Sequence, residues 1–295
     1  MDLQKVIKRG QQKYPPRIFM IGEEKIGKSS FANDAPEPLF LCGENGLVGQ
    51  QFESTANYTP STWGDVKDFV KSVTLNDCKT LVIDTLDWLE PLLFAYVCHR
   101  DQKKSIEDYG FGKGYVIAAE EFRLFLAELE RLNKSGIAIV VIAHCQVKAF
   151  NNPAGDNYDR YEPKCIKQIS AMVKEWSDAV LFAHSRTYTH KDGKAKAKGI
   201  GDGVRVINTN KTPAWDAGNR YGMPDELPLS WAAVAEAIEN GKPDSPEQIE
   251  AEIIEAIDKS QMSSDRKEQA KGAVARDKGD IIKLKTLLNK VRQAA

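Results

Sequence analysis

The chain has 295 residues, of which 42% are hydrophobic and 28% are charged, an ordinary composition for a globular protein with a sizeable core. Its formal net charge of −1 excludes a uniformly basic nucleic-acid binder, so any nucleic-acid surface must be a local patch. The chain has no apolar stretch of the roughly 20 residues that span a membrane, no signal-peptide pattern and no C-x-x-C pair among its five cysteines, so we expect a cytoplasmic protein without a membrane partner.

The first motif lies between a predicted strand and a predicted helix. Residues 1–14 form a polar arm that ends at Pro15, and Arg17–Ile21 is a short apolar strand. The residues from Gly22 to Ser29 fit the pattern G-x-x-x-x-G-K-[ST], and a helix can begin at Ser29. Such a loop presents backbone N–H groups to phosphate. We therefore expect ATP to bind to Gly22, Glu23, Glu24, Lys25, Ile26, Gly27, Lys28, Ser29 and Ser30.

Two residues of this loop have predicted chemical roles. Lys28 is expected to reach the β- and γ-phosphates, and the Ser29 hydroxyl to bind Mg²⁺, which prefers oxygen ligands. The other half of the metal site is predicted at Asp84, which ends the apolar strand Thr80–Asp84. An acid in this position can hold the shell of Mg²⁺ through water. The alternative is an acid that simply ends a strand.

The remaining elements complete an α/β pattern. A helix is predicted from Thr62, as N-cap, to Val73, and the clearest helix runs from Tyr115 to Lys134. Further strands are predicted at Pro38–Cys42, Ile137–Ala143, Ala179–Ala183 and Val204–Ile207. Strands that alternate with helices around a phosphate loop predict a mostly parallel central sheet, with the ligand at the carboxyl ends of the strands.

Two polar residues at predicted strand ends are candidates for catalysis. Glu44 follows the strand Pro38–Cys42, where a carboxylate can act as general base toward the water that attacks the γ-phosphate. His144 ends the most apolar strand, where it can hydrogen-bond the γ-phosphate and report the nucleotide state to the next loop. Either residue can equally be structural, Glu44 as part of a loop and His144 as a satisfied histidine.

Two long connections combine aromatic and basic residues. They run from Cys98 to Gly114 and from Gln146 to Lys167, and loops of this length inside a domain are usually functional or disordered. Aromatic residues beside lysines suit single-stranded DNA, because stacking is worth about 1–3 kcal/mol per base. The predicted DNA-binding residues are Tyr109, Phe111, Lys113, Tyr115, Lys148, Phe150, Arg160 and Lys164.

The composition changes near residue 240, which predicts a core at 15–240 and a small helical module at 241–295. Two amphipathic helices are expected there, the first beginning at Pro246. Residues 241–265 contain two bases and seven acids, whereas residues 266–295 contain nine bases and three acids. This asymmetry leaves two interpretations open, which are helices that pair through complementary charge and a module that docks to a partner or to DNA.

The ordered motifs resemble the RecA-like ATPases, and most closely the phage-encoded RecA-like single-strand annealing proteins. The resemblance spans about Tyr14 to Trp231, with Gly22–Ser29 matching the family's Walker A motif and Leu81–Thr85 its Walker B motif. It implies a RecA-like P-loop fold, an ATPase that requires Mg²⁺, and single-stranded DNA as partner. By the same resemblance Glu44 is the catalytic base, His144 senses the γ-phosphate, and the two long loops bind DNA.

The resemblance also implies assembly. In filament-forming members, basic residues after a late β-hairpin reach the ATP of the neighbouring subunit, and Lys211 and Arg220 are the matching candidates. An arginine that acts in this way is worth about 10³–10⁵ in rate. We therefore expect a homo-oligomer, ring or filament, with ATP at the subunit interfaces and hydrolysis stimulated by DNA. For a phage-encoded protein the location is the cytoplasm of the host.

Three alternatives remain open. A kinase would need an arginine-rich lid, which the sequence does not show. A replication or packaging motor would respond to duplex DNA. A non-hydrolysing assembly module would use ATP only as a gate, and its C-terminal helices would recruit a single-strand-binding protein.

Overall fold

A computed structural model gives the fold of this chain. The structure describes residues 14–44, 46–153, 155–190, 198–240, 246–260 and 262–294. Of the predicted N-terminal arm, only Tyr14 lies within the described residues. The predicted boundary at residues 240 and 241 falls at the edge of a range outside the description and stays a prediction.

The strands of the described residues form one ten-stranded sheet. They are β1 (Arg17–Gly22), β2 (Pro38–Cys42), β3 (Ala56–Tyr58), β4 (Thr80–Asp84), β5 (Ala138–Phe150), β6 (Tyr158–Pro163), β7 (Ala179–His190), β8 (Lys198–Asn208), β9 (Gly218–Asn219) and β10 (Glu226–Pro228). Every strand predicted from the sequence is present.

The sheet is mostly parallel, as predicted. Its order is β10-β8-β7-β1-β5-β4-β2-β3, and all neighbours from β7 to β3 run parallel. β8 and β10 extend the sheet with antiparallel pairs, while β6 pairs with β5 and β9 with β7. In the register, Gly22 of β1 is the partner of His144 of β5, and Cys42 of β2 is the partner of Asp84 of β4. The carboxyl ends of four parallel strands therefore meet at one edge of the sheet.

Helices connect and follow these strands along the chain. Those described are α1 (Lys28–Asn33), α2 (Trp63–Ser72), α3 (Leu86–Arg100), α4 (Lys113–Lys134), α5 (Lys167–Trp176), α6 (Trp231–Asn240), α7 (Pro246–Lys259), α8 (Ser264–Arg276) and α9 (Ile281–Ala294), with short 3₁₀ turns at Gln50–Phe52 and Ile106–Tyr109. The predicted cap of α2 is confirmed, since Thr62 Oγ1 accepts from Asp65 N and the Asp65 carboxylate accepts from Thr62 N. Buried residues of α2, α3, α4 and α5 join the sheet in one apolar core.

The structure corrects the prediction of loops at two places. The segment after His144 is a β-hairpin, because β5 continues without a break to Phe150 and pairs with β6. We call the segment from Cys145 to Pro163 the β5–β6 hairpin. In the other connection, α4 begins at Lys113, two residues before the predicted start at Tyr115.

The chain divides into two compact units. The first contains the sheet and extends to Arg220, with Pro224–Glu236; the second comprises Tyr221–Met223 and Ala237–Ala295. In the second unit the structure describes three helices beyond residue 245, one more than predicted. Their apolar faces pack on one another around Ile249, Ile253, Ile257, Val274, Leu284, Leu288 and Val291. This packing favours the interpretation in which the helices pair among themselves.

Candidate nucleotide-binding site

The phosphate loop follows β1 at the carboxyl edge of the sheet. A side chain at Gly22 would place its Cβ 2.4 Å from the carbonyl oxygen of Ala183 on β7, so only glycine fits there. Gly27 has φ +111°, a left-handed conformation that glycine adopts without a steric cost. Gly27 precedes α1 and has no side-chain cap. Both motif glycines are therefore required by the local geometry.

Lys28 is buried at the base of this loop. Its ammonium Nζ donates to the carbonyl oxygens of Glu23 and Gly22, at 2.7 and 3.1 Å. Burial lowers the pKa of Lys28 from its ordinary value, because the charged form loses water. A buried ammonium whose partners are neutral carbonyls suits an anionic ligand, since phosphate oxygens would supply the missing negative charge.

Ser29 and Asp84 lie side by side across the sheet edge. The Ser29 hydroxyl donates to Asp84 Oδ2 at 2.7 Å. Burial raises the pKa of Asp84, and the hydrogen bond from Ser29 and the charge of Lys28 oppose this shift. A hydroxyl and a carboxylate in contact fit the hard oxygen donor set that Mg²⁺ prefers. Thr85 Oγ1, which is buried with no hydrogen-bond partner among the described residues, lines the same space.

A cleft of about 580 Å³ brings the predicted catalytic residues together. Lys28, Ser29, Asp84, Glu44 and His144 all line it, although the sequence separates them by up to 116 positions. Glu44 is half-buried, just beyond β2, and its charge contributes to the raised pKa of Asp84. The parallel register of the sheet explains this convergence.

Two basic residues of the cleft were not predicted to contact nucleotide. Arg205, on β8, lies over the phosphate loop, because a Cβ on Gly27 would be 3.3 Å from Arg205 Nη1. Its guanidinium has no ion-pair partner among the described residues. Lys164, predicted to bind DNA, also lines the cleft, and its Nζ is 3.8 Å from Glu24 Oε1. No local sequence signal marks Arg205, since only the sheet brings it to the loop.

His144 is held by an acid that the sequence analysis did not select. Asp87 Oδ1 accepts from the His144 backbone N–H at 2.9 Å, and Oδ2 lies 2.9 Å from His144 Nδ1. Burial alone would raise the pKa of Asp87, but these hydrogen bonds outweigh it and lower the pKa. An ionised Asp87 accepts a proton-bearing Nδ1, which leaves Nε2 as the ring nitrogen available for a ligand.

The structure places Lys211 and Arg220 away from this cleft. Arg220 Nη1 pairs with Asp178 Oδ1 at 3.0 Å, next to the start of β7 and therefore at the amino edge of the sheet. Lys211 Nζ lies 3.4 Å from Asp216 Oδ1. Within one chain, neither residue belongs to the nucleotide site.

The predicted DNA-binding residues separate into exposed and packed groups. Phe111 is fully exposed, Lys113 and Lys148 are exposed, and Tyr115, Lys148 and Lys164 line one shallow cavity of about 450 Å³. Tyr109, by contrast, donates its hydroxyl to Asp101 Oδ2 at 2.8 Å and to the Val97 carbonyl.

Arg160 and Phe150 are the most tightly packed of the predicted DNA contacts. Arg160 is buried, and its guanidinium donates to Asp216 Oδ1 at 2.5 Å. The same guanidinium lies 5.0 Å from the centre of the Phe150 ring, which also contacts Tyr158. These contacts support the β5–β6 hairpin from within, so the exposed residues are the better candidates for a ligand.

This loop, with its buried lysine and with the Ser29 hydroxyl on α1 paired to the Asp84 carboxylate at the end of β4, defines a P-loop ATPase with a RecA-like α/β core. Residues 14–221 match the AAA_24 family, described as an AAA domain, and the chain belongs to this family. No curated protein matches the sequence. Among the described residues, no helix is both long and apolar enough to cross a membrane.

The solved structures to which this chain is similar include the RadB recombinase, at 11% sequence identity and a TM-score of 0.39, over 66% of this chain and 81% of that chain. The flagellar accessory protein FlaH from Methanocaldococcus jannaschii is similar at 9% identity and a TM-score of 0.36, over 66% of this chain and 77% of that chain. A KaiC-like protein from the hyperthermophilic archaeon Pyrococcus horikoshii OT3 has 10% identity and a TM-score of 0.36, over 67% of this chain and 79% of that chain.

Proposed function

We propose that the chain is an ATP-dependent single-stranded DNA-binding protein that anneals strands in phage homologous recombination. The observation that carries this proposal is the course of β5. This strand passes His144 in the nucleotide cleft and continues unbroken into the β5–β6 hairpin, which presents Lys148 beside Tyr115 and Lys164. One continuous element thus joins the nucleotide site to the proposed DNA surface.

The residues of the cleft divide the chemistry of ATP hydrolysis among them. Lys28 and Arg205 bind phosphate oxygens. Ser29 and Asp84 would hold Mg²⁺, which would neutralise phosphate charge. Glu44 accepts the proton of the attacking water, a general-base role worth about 10²–10⁴ in rate. His144 faces the γ-phosphate with Nε2, which donates to a phosphate oxygen when both ring nitrogens carry a proton. Departure of the γ-phosphate after hydrolysis removes this contact and changes the support of β5.

The proposed DNA surface consists of Phe111, Lys113, Tyr115, Lys148 and Lys164. The aromatic rings stack on bases, and the lysines contact phosphates, which suits a single strand read without sequence preference. A local patch of this kind is compatible with a net charge of −1.

Replacing Phe111 tests this surface most directly. Phe111→Ala should weaken binding to a labelled single-stranded oligonucleotide by roughly tenfold, because one stacked base contributes about 1–3 kcal/mol, and should leave ATP affinity unchanged. Fluorescence anisotropy measures the first quantity and a fluorescent nucleotide the second. Leu124→Ala is the matched control, since Leu124 is an exposed apolar residue of α4. Equal DNA affinity in the two variants would show that Phe111 does not belong to the DNA-binding surface.

Arg205 gives a second test, of the nucleotide site. Arg205→Ala should weaken ATP binding by about 10- to 100-fold, because a hydrogen bond to a charged group contributes about 1.5–3 kcal/mol and 1.4 kcal/mol is a factor of ten. Arg205→Lys should fall between, since lysine keeps the charge but loses the fork of donors. Arg123→Ala, on an exposed position of α4, is the control. Unchanged affinity in Arg205→Ala would show that the guanidinium does not contact the nucleotide.

We also propose a homo-oligomer in which Lys211 and Arg220 approach the ATP of a neighbouring subunit. They would exchange Asp216 and Asp178 for phosphate, so their ion pairs in the single chain are a resting arrangement. The C-terminal helices would recruit a single-strand-binding protein.

The proposed function is tested by comparing three nucleotide states. Oligonucleotide affinity is measured without nucleotide, with Mg-ADP and with a non-hydrolysable Mg-ATP analogue, alongside ATPase rates with single-stranded and duplex DNA. We expect the analogue to give the tightest binding and single-stranded DNA to stimulate hydrolysis. Annealing of complementary oligonucleotides and sizing with the analogue complete the test. Equal affinity in all three states would refute the proposal, and stimulation by duplex alone would indicate a motor.

A further inference from the structure

Two acids of α3 contact residues that flank the two ends of the β5–β6 hairpin. α3 begins two residues after Asp84, and it carries Asp87 in its first turn and Glu90 in the next. Residues three apart on a helix lie on the same face. Both carboxylates therefore project from one side of a helix that starts at the nucleotide site.

Asp87 holds the entry to the hairpin. Its two oxygens contact both the backbone N–H and the ring Nδ1 of His144, each at 2.9 Å. Only 5% of the Asp87 side chain is exposed, so water competes little for these bonds. Asp87 thus fixes both the main chain at this point of β5 and the orientation of the imidazole.

Glu90 holds the exit. Its Oε1 accepts from the Ile166 backbone N–H at 2.8 Å, just beyond β6. Burial raises the pKa of Glu90 to about 7, while the Ile166 N–H and the charge of Lys148 oppose the shift. Either protonation state keeps a carboxyl oxygen that can accept this bond. Between the two contacts, Lys164 N donates to the His144 carbonyl at 2.8 Å and closes the hairpin base.

The cavity beside Glu90 joins this base to the proposed DNA surface. Glu90 lines it together with Tyr115, Lys148 and Lys164, whereas neither Asp87 nor Glu90 lines the nucleotide cleft. The two acids thus lie between the nucleotide site and the DNA surface without belonging to the lining of the first.

We infer that Asp87 and Glu90 are positioning residues that clamp both ends of the β5–β6 hairpin to α3, and that this clamp transmits the nucleotide state to the DNA surface. The inference rests on the proposed function and names the residues through which its coupling acts. Nucleotide can contact His144, or Asp84 just before the start of α3. Such a contact changes the support of the hairpin only while Asp87 and Glu90 hold both of its ends.

Glu90→Leu and Glu90→Gln form the matched pair of variants. Leucine removes the acceptor for Ile166 N–H, whereas glutamine keeps one carbonyl oxygen in nearly the same place. Two quantities are measured on the full chain, which are amide hydrogen exchange at His144 and Ile166 with and without a Mg-ATP analogue, and the ratio of oligonucleotide affinities in those two states. ATP affinity and the midpoint of thermal unfolding are recorded for each variant.

In the wild type and in Glu90→Gln we expect the analogue to change exchange at both amides and to raise oligonucleotide affinity, within the range of about 5- to 150-fold found for coupled sites. In Glu90→Leu we expect a ratio near one, with ATP affinity unchanged; the nucleotide-free DNA affinity of each variant is measured as the reference for its own ratio. A merely structural role would lower the unfolding midpoint and leave the ratio intact. If Glu90→Leu does not fold, Asp87→Asn replaces it, since it presents an amide N–H to His144 Nδ1 and should also reduce the ratio to near one.

The outcomes separate this inference from the proposed function. The inference is overturned if a variant without the clamp keeps the wild-type ratio of oligonucleotide affinities. It is also overturned if the analogue does not change amide exchange at His144 and Ile166 in the wild type. Amides that respond in the wild type but not in Glu90→Leu, with a DNA affinity that never changes, support the clamp and refute the proposed function.

Discussion

Lys28→Ala should abolish measurable ATP binding, with Kd raised at least about 100-fold. The ammonium is buried at the base of the phosphate loop, where its present partners are the carbonyls of Gly22 and Glu23. Each hydrogen bond between such a charge and phosphate contributes about 1.5–3 kcal/mol, so the loss of two of them gives this factor. Titration with a fluorescent ATP analogue measures it.

The matched control for this variant is Lys71→Ala, on an exposed position of α2. It removes the same charge from the chain and leaves the cleft intact, so its ATP affinity should equal that of the wild type. Lys28→Ala should also lose the ATP-dependent part of DNA binding and keep the nucleotide-free part. Normal ATP affinity in a folded Lys28→Ala protein would refute the assignment of the phosphate loop.

Glu44→Gln should separate nucleotide binding from hydrolysis. Glutamine keeps the size of the half-buried side chain but cannot accept a proton from water, so kcat should fall about 10²- to 10⁴-fold while ATP affinity is retained. The variant should therefore persist in its ATP-bound form and dissociate more slowly from single-stranded DNA. Steady-state phosphate release and oligonucleotide dissociation in the presence of ATP measure the two effects.

Glu53→Gln provides the comparison, because Glu53 is exposed in the segment after β2 and does not line the cleft. It should turn over ATP at the wild-type rate. Unimpaired turnover in Glu44→Gln would eliminate this residue as the base and direct attention to the other acids at the sheet edge.

The sequence predicted those features whose signals are local. Apolar runs located the central strands, the N-cap residue Thr62 located the start of α2, and the phosphate-loop pattern located Lys28 and Ser29. Asp84 and His144 could be assigned to one edge, because carboxyl ends of parallel strands meet there. These few signals were enough to predict the class of fold and four residues that line the nucleotide cleft, Lys28, Ser29, Asp84 and His144.

The features that were missed depend on contacts between distant residues. The hairpin was predicted as a loop because its strands are polar and gain stability only by pairing with each other. The buried partner of Arg160 is Asp216, 56 positions away, and Arg205 reaches the phosphate loop from β8. The helix α8 has a single buried apolar residue, Val274, and so gave almost no periodic signal.

The continuity of β5 has a consequence for how related sequences can vary. Below Cys145, pairing with β1 and β4 fixes the register of this strand, and a slip of one residue would turn its core side chains to the opposite face. From Cys145 onward, β6 is the partner strand of β5 among the described residues, and residues 151–157 connect the two strands. Insertions or deletions in this connection should therefore change the length of the β5–β6 hairpin without disturbing the central sheet or the nucleotide cleft.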